Sequence, residues 1–176
     1  VAAGKSYATL LTERIVEPLG LTSTWLPGRF EPIAPTWPPA SLYLRDRRLE
    51  LPQMLESAND LISTTGDLLT FQRALLSGRL FDRPATTALL TERANLLRNM
   101  IPNRYGLGTW IFRVNRLISP GRRPVTLVGH AGVTGTWLFH CPELDVHLAG
   151  TIDQATSSAR SAPFRLMARI LRAWNA

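Results

Sequence analysis

Between residues 125 and 152 the chain carries three apolar runs, at 125–129, 136–140 and 145–152, whose connections are too short to do anything but reverse direction. The last two runs are joined by Cys141-Pro142-Glu143-Leu144, a proline-containing turn that makes them an antiparallel hairpin. The first two are joined across Gly129-His130-Ala131-Gly132 and Val133-Thr134-Gly135, so the strand that ends at His130 is expected to pair with the 136–140 strand. This commits the second half of the chain to an antiparallel sheet. Glycines on both sides of a histidine at a strand end let the backbone approach a ligand closely while one polar side chain faces it.

The remaining periodicities place helices around that sheet. Tyr7, Leu10, Leu11 and Ile15 recur at helical spacing, predicting a helix over 6–17 that Ser6 caps and Pro18 and Gly20 stop. From 22 to 57, Pro27, Pro32, Pro35, Pro38, Pro39 and Pro52 forbid long regular elements. A stretch of that kind is either a binding loop or a surface excursion. Thr64 and Asp67 form a capping pattern for a helix over 64–78, with Leu68, Phe71 and Leu75 as its buried stripe and Gly78 at its end. A third helix is expected after Asp82 and Pro84, through Ala88, Leu89 and Leu90. Residues 105–112 read as a fourth strand. The chain closes in a helix over 158–174 with Phe164, Met167, Ile170, Leu171 and Trp174 on one face and Arg165, Arg169 and Arg172 on another. Such a helix packs on a sheet in preference to lying on an anionic membrane.

With 176 residues, 45% of them hydrophobic, the chain is long and apolar enough for one domain with a real core. No apolar run approaches a membrane span. The formal net charge is +7, but the basic residues are scattered apart from short clusters such as Arg45-Asp46-Arg47-Arg48, so no nucleic-acid partner is expected. Cys141 is the only cysteine, which excludes an internal disulfide. His140, Cys141, Asp145 and His147 are metal-capable, but no pair has a zinc spacing and alternation puts His140 and Cys141 on opposite faces; neither metal nor cofactor is expected.

Five segments in order resemble the C-terminal half of the serine β-lactamase-like hydrolases, the family of class C β-lactamases, penicillin-binding D-alanyl-D-alanine carboxypeptidases, D-aminopeptidases and related esterases. They are Ile15-Val16-Glu17-Pro18-Leu19-Gly20-Leu21-Thr22-Ser23-Thr24, Leu61-Ile62-Ser63-Thr64-Thr65-Gly66-Asp67-Leu68, Tyr105-Gly106-Leu107-Gly108, His130-Ala131-Gly132, and the Pro142 turn with its flanking strands. The resemblance implies an α/β fold of the α+β type: an antiparallel sheet flanked by helices, part of a β-lactamase/transpeptidase-like fold. Within it, 1–60 would form a helix and a proline-rich loop region, 61–100 helices, 104–153 antiparallel strands and 158–174 the final helix. It also implies a three-part site of Ser-x-x-Lys, Tyr-x-Asn and a third strand motif, Lys-Thr-Gly or His-x-Gly. Lysine and tyrosine handle the proton of the nucleophilic serine, and the third motif lines the opposite wall.

On this resemblance His130 is the third-motif side chain, Gly132 allows close substrate approach, and Val133 lends its backbone N–H to the oxyanion hole. The first two motifs are missing from the sequence. Lys5, the only lysine, has Ala2 three residues before it, and Tyr7, Tyr43 and Tyr105 are followed two positions on by Thr9, Arg45 and Leu107. The chain also opens on Val1, not Met. The expectation is therefore the C-terminal portion of one domain, inactive alone, whose nucleophile lies in a missing N-terminal portion; the alternative is a non-catalytic binding module with the same fold. The expected partner of the parent is a small-molecule ester, amide or peptide substrate. Many relatives are exported, which leaves the compartment of this chain open. Ala131 and Val133 stand where carboxypeptidases and β-lactamases carry Thr or Ser to bind a substrate carboxylate, so esters or amides lacking that carboxylate are expected. Asn59-Asp60 replaces a glycine pair of relatives, a turn that Asn and Asp tolerate.

Overall fold

Strand pairing organises the molecule. The computed structural model describes residues 4–34, 38–49, 60–81, 85–92, 95–98, 102–114, 124–155 and 162–174. Pro35, Pro52, Asn59, Asp82, Pro84 and the expected start of the last helix at 158 fall outside them. Strands β1 (Tyr43–Leu44) and β2 (Arg47–Arg48) make a small hairpin inside the proline-rich stretch. The large sheet has six strands in chain order: β3 (Asn95–Arg98), β4 (Pro102–Tyr105), β5 (Trp110–Val114), β6 (Val125–Ala131), β7 (Trp137–Cys141) and β8 (Val146–Gly150). Each neighbouring pair is antiparallel.

Two sequence expectations change here. Residues 105–112 are not one strand: Tyr105 ends β4, residues 106–109 turn, and Trp110 opens β5 opposite Tyr105. Gly108 sits at φ 64°, and the Gly106 N–H donates to the Thr109 carbonyl at 2.8 Å, so the two glycines mark a hairpin tip. Strand β3 likewise occupies part of the 61–100 stretch expected as helical.

Period-two alternation puts one face of this sheet in the core. Trp137, Phe139 and Cys141 of β7 point inward with Phe112, Val114, Leu127, Val146 and Leu148. They pack on Met167, Ala168 and Leu171 of the last helix, Ala162–Trp174. Full burial of each large side chain in this layer is worth about 1.5–3 kcal/mol. Gly150 faces Trp137 across the ladder, and any Cβ there would overlap the indole. Trp174 corrects the expected stripe: it is 69% exposed, while Leu171 is the last residue of the helix buried against the sheet.

The first helical segment runs as α1 (Tyr7–Leu11), a π-helical turn (Thr12–Val16) and α2 (Glu17–Leu19). The Ser6 side chain accepts from the Thr9 N–H at 3.1 Å, the expected cap. Pro18 does not stop the helix; it lies inside α2, and Gly20 at φ 64° ends it. Proline has no N–H for the α ladder and crowds the carbonyl four residues back, and the wider π turn just before it accommodates both. Helix α3 (Thr65–Leu76) starts at Thr64, whose hydroxyl accepts from the Asp67 N–H, and gives way at Ser77 to Gly78 with φ 79°. Its most buried residues are Gln72 and Ala74, while Leu68, Phe71 and Leu75 are only partly covered, because the sheet and the first helix approach it from different sides. Helix α4 (Ala85–Glu92) and the last helix, α5 (Ala162–Trp174), complete the fold.

Asp67 does more than support a cap. Its Oδ2 accepts from the Ser23 N–H at 2.9 Å and from Thr24 Oγ1 at 2.8 Å, and Thr24 Oγ1 also lies 2.8 Å from Ser63 Oγ. One carboxylate thus ties the start of α3 to the loop after α2. Asp67→Asn is expected to lower stability by about 1–3 kcal/mol, and Asp67→Ala by more, since the Ser23 N–H and the buried Thr24 hydroxyl both then lose the carboxylate acceptor. Urea unfolding midpoints check this.

Glu143, in the turn between β7 and β8, accepts the Thr126 N–H with both oxygens, at 3.0 and 2.9 Å. Burial alone would push its carboxyl up, but the Thr126 hydrogen bonds outweigh it and hold the group below the usual carboxylate range. A carboxyl depressed in the folded state stabilises above its unfolded pKa, and that contribution is lost as pH falls through the folded value. Glu143→Gln is expected to flatten the acid limb of the stability–pH curve, measured by thermal melting across the carboxylate range.

Candidate active site

His130 sits one residue before the end of β6, opposite Leu138 of β7. After Ala131 the chain turns through residues 132–135. The Gly132 N–H donates to the Thr136 carbonyl at 2.7 Å and the Gly135 N–H to the Gly132 carbonyl at 3.2 Å. Gly135 has φ 81°, and a Cβ there would also overlap the Ile152 side chain, so glycine is required on both counts. The turn leaves Val133 62% exposed at its tip, and its N–H has no partner among the described residues.

Three strands converge on the His130 ring. The Tyr105 hydroxyl, from the end of β4, lies 3.0 Å from His130 Nε2. The Trp110 indole, from the start of β5, stacks on the imidazole at 5.1 Å between centroids and 26° between planes. Tyr105 meets both rings edge-on. Trp110 also contacts Phe164 of α5 at 6.1 Å, which links this aromatic cluster to the core. The tyrosine hydroxyl can donate to or accept from the imidazole, so the pair forms a path for one proton, and the stacked indole fixes the ring's plane.

The sequence-predicted residues are therefore close together, with different degrees of freedom. His130 is exposed and oriented. Gly132 has its N–H bound inside the turn, and a Cβ on it would make only ordinary contacts, with Thr134 Oγ1 at 3.6 Å and the Thr136 carbonyl oxygen at 3.9 Å. The Oγ1 atoms of Thr134 and Thr136 lie 3.3 Å apart, and Thr136 Oγ1 donates to Thr151 Oγ1 at 3.4 Å. Sequence reasoning did not assign Tyr105 and Trp110 to the site. The Tyr105-Gly106-Leu107-Gly108 motif was the available signal, but only the β4–β5–β6 register carries it to His130.

Two cavities flank the turn. The smaller, about 250 Å³, is lined by Trp110, Ala131, Gly132, Val133, Gly135 and Pro163, among others. The larger, about 490 Å³, lies between the first helical segment and α3 and reaches the turn at Thr134 and Thr136. Its walls are largely apolar, with Leu11, Ile15, Leu68 and Phe71 prominent.

The other titratable residues singled out in the sequence lie on the β7–β8 hairpin. Cys141 is buried on the core face, and burial pushes its thiol up, which makes it a poor nucleophile. His147 is held below the usual imidazole range by burial and by the charges of His140 and Arg73. No helix among the described residues is long and apolar enough to cross a membrane.

Comparison with known proteins gives a consistent picture. The family model described as Beta-lactamase matches residues 1–171. No curated protein gives a significant sequence match. Among solved structures, the D-amino acid amidase of Ochrobactrum anthropi SV3 complexed with D-phenylalanine aligns with a TM-score of 0.72 at 22% identity, over 98% of this chain and 56% of the amidase. The same amidase without a named ligand gives 0.69 at 21% identity, over 98% and 53%. Its complex with L-phenylalanine amide gives 0.67 at 19% identity, over 98% and 53%. At these identities the likeness is one of fold, and the chain spans a little over half of the amidase's length. A family match over nearly the whole sequence, on an antiparallel sheet flanked by helices, establishes that the chain belongs to the Beta-lactamase family.

Proposed function

We propose that this chain supplies the third-motif wall of a serine hydrolase that transfers an acyl group from an amide or ester to water through an acyl-enzyme. The observation that carries the reading is the oriented His130, hydrogen-bonded to Tyr105 and stacked on Trp110 beside a Val133 N–H that has no partner among the described residues. His130 presents a hydrogen-bond donor or a charge to the substrate, and the Val133 N–H faces the developing oxyanion. Gly132 keeps the approach open.

The serine nucleophile and its proton carriers come, in this reading, from a part of the same domain that the chain does not contain. The absence of Ser-x-x-Lys and Tyr-x-Asn supports it, as does the chain's span of 56% of the amidase. So does the apolar cavity between the first helix and α3, whose Leu68 and Phe71 remain partly uncovered. The chain alone is then inactive. Ala131 and Val133 offer no hydroxyl to a substrate carboxylate, which favours amino acid amides or esters over β-lactams and D-Ala-D-Ala peptides. The likeness to an amidase crystallised with an amino acid amide points the same way.

A fluorophosphonate probe is expected to label the full-length protein and to leave the 176-residue chain unlabelled. Absence of label from both overturns the hydrolase reading. In the full-length protein, His130→Ala is expected to lower kcat/KM on an amino acid amide by about 10²–10³-fold. Tyr105→Phe, which leaves the imidazole in place and removes only its hydroxyl partner, is expected to cause a smaller loss. Steady-state kinetics separates the two, and a silent His130→Ala removes His130 from the site.

A further inference from the structure

The ladder between β7 and β8 pairs His140 directly with His147. Their imidazoles lie 4.2 Å apart between centroids, at 21°. Asp145, in the turn that joins the two strands, has Oδ1 3.4 Å from His140 Nε2. One ligand atom from each of the three residues lies within 4.8 Å of the others. From this arrangement we propose a binding site for a divalent transition cation of the zinc type on the β7–β8 hairpin, held by His140, His147 and Asp145 with a fourth position open to water.

The residue behind the ligands supports this reading. His147 Nδ1 lies 2.8 Å from Gln72 Oε1, and Gln72 on α3 is only 3% exposed. An amide oxygen only accepts, so Nδ1 carries the proton and Nε2 keeps its lone pair for a cation. A second partner that fixes the tautomer of a ligating histidine is the usual support of a metal site. Two imidazoles and one carboxylate form a mixed nitrogen–oxygen set that suits zinc and its neighbours, not magnesium or calcium. Donors around a tetrahedral zinc sit roughly 3.3–3.5 Å apart, so the 4.8 Å spread must close by about 1.3–1.5 Å. With His147 held by Gln72, it is the His140 imidazole that must turn about χ2 out of the near-parallel stack to share a cation. Asp145 is mostly exposed and free to follow.

The site is distinct from the His130 cluster, and neither Tyr105 nor the 132–135 turn contributes to it. A bound cation would clamp the hairpin end against α3 through Gln72. It would act on stability and on the β7–β8 connection and take no part in the acyl transfer proposed above.

Cobalt(II) titrated into the purified full-length protein tests the site, since its visible d–d absorption reports the ligand set independently of activity. One equivalent is expected to bind with the spectrum of a nitrogen–oxygen site and to be displaced by zinc. His147→Ala is expected to abolish the signal. Asp145→Asn is the variant that keeps the fold, because asparagine accepts the left-handed backbone of φ 50° at that position; it is expected to weaken binding by at least ~10-fold. No saturable cobalt absorption overturns the proposal. So does saturable binding that Asp145→Asn and His147→Ala leave unchanged.

Discussion

The antiparallel register of β5, β6, β7 and β8 is the constraint on which the rest of the molecule depends. It places Phe112, Leu127, Phe139 and Leu148 in one layer, where α5 covers them. The same register sets Gly150 against Trp137 and carries Trp110 to the His130 ring. A slip of one residue would send each of these side chains to the opposite face. The core and the candidate site are thus specified by the same backbone hydrogen bonds.

Short turns hold that register. Gly135 at the β6–β7 turn and Gly108 at the β4–β5 tip both have positive φ, and Asp145 provides it at the β7–β8 turn. Glu143 adds a tie from the last of these turns to the first residues of β6. On the helical side, Asp67 plays the corresponding part by joining α3 to the loop after α2. Each of these links is polar and local, and each sets where an apolar surface meets its partner.

Much of this was legible in the sequence. The proline turn at 142, the glycine-rich connection at 132–135, the Ser6 and Thr64 caps and the glycine stops at 20 and 78 are local features, and local sterics and hydrogen bonding decide them. The family resemblance came from motif order along the chain. Misreadings arose where a single period covered two possibilities. Residues 105–112 have the alternation of one strand, but two glycines fold them into a hairpin tip. Pro18 reads as a stop, yet the preceding π turn lets the helix pass it. Leu68 and Phe71 have the spacing of a buried stripe and instead border a cavity.

The sequence by itself determined the family and the antiparallel hairpins and singled out His130, because each rests on residues adjacent along the chain. Only the tertiary structure decided which residues surround them. Tyr105 reaches His130 across 25 positions, and Gln72 reaches His147 across 75. His140 and His147 have no metal spacing in the sequence, but they are direct partners once β7 and β8 pair. Sequence separation carries no distance information across a sheet; the register does, and hydrogen bonding between strands sets it.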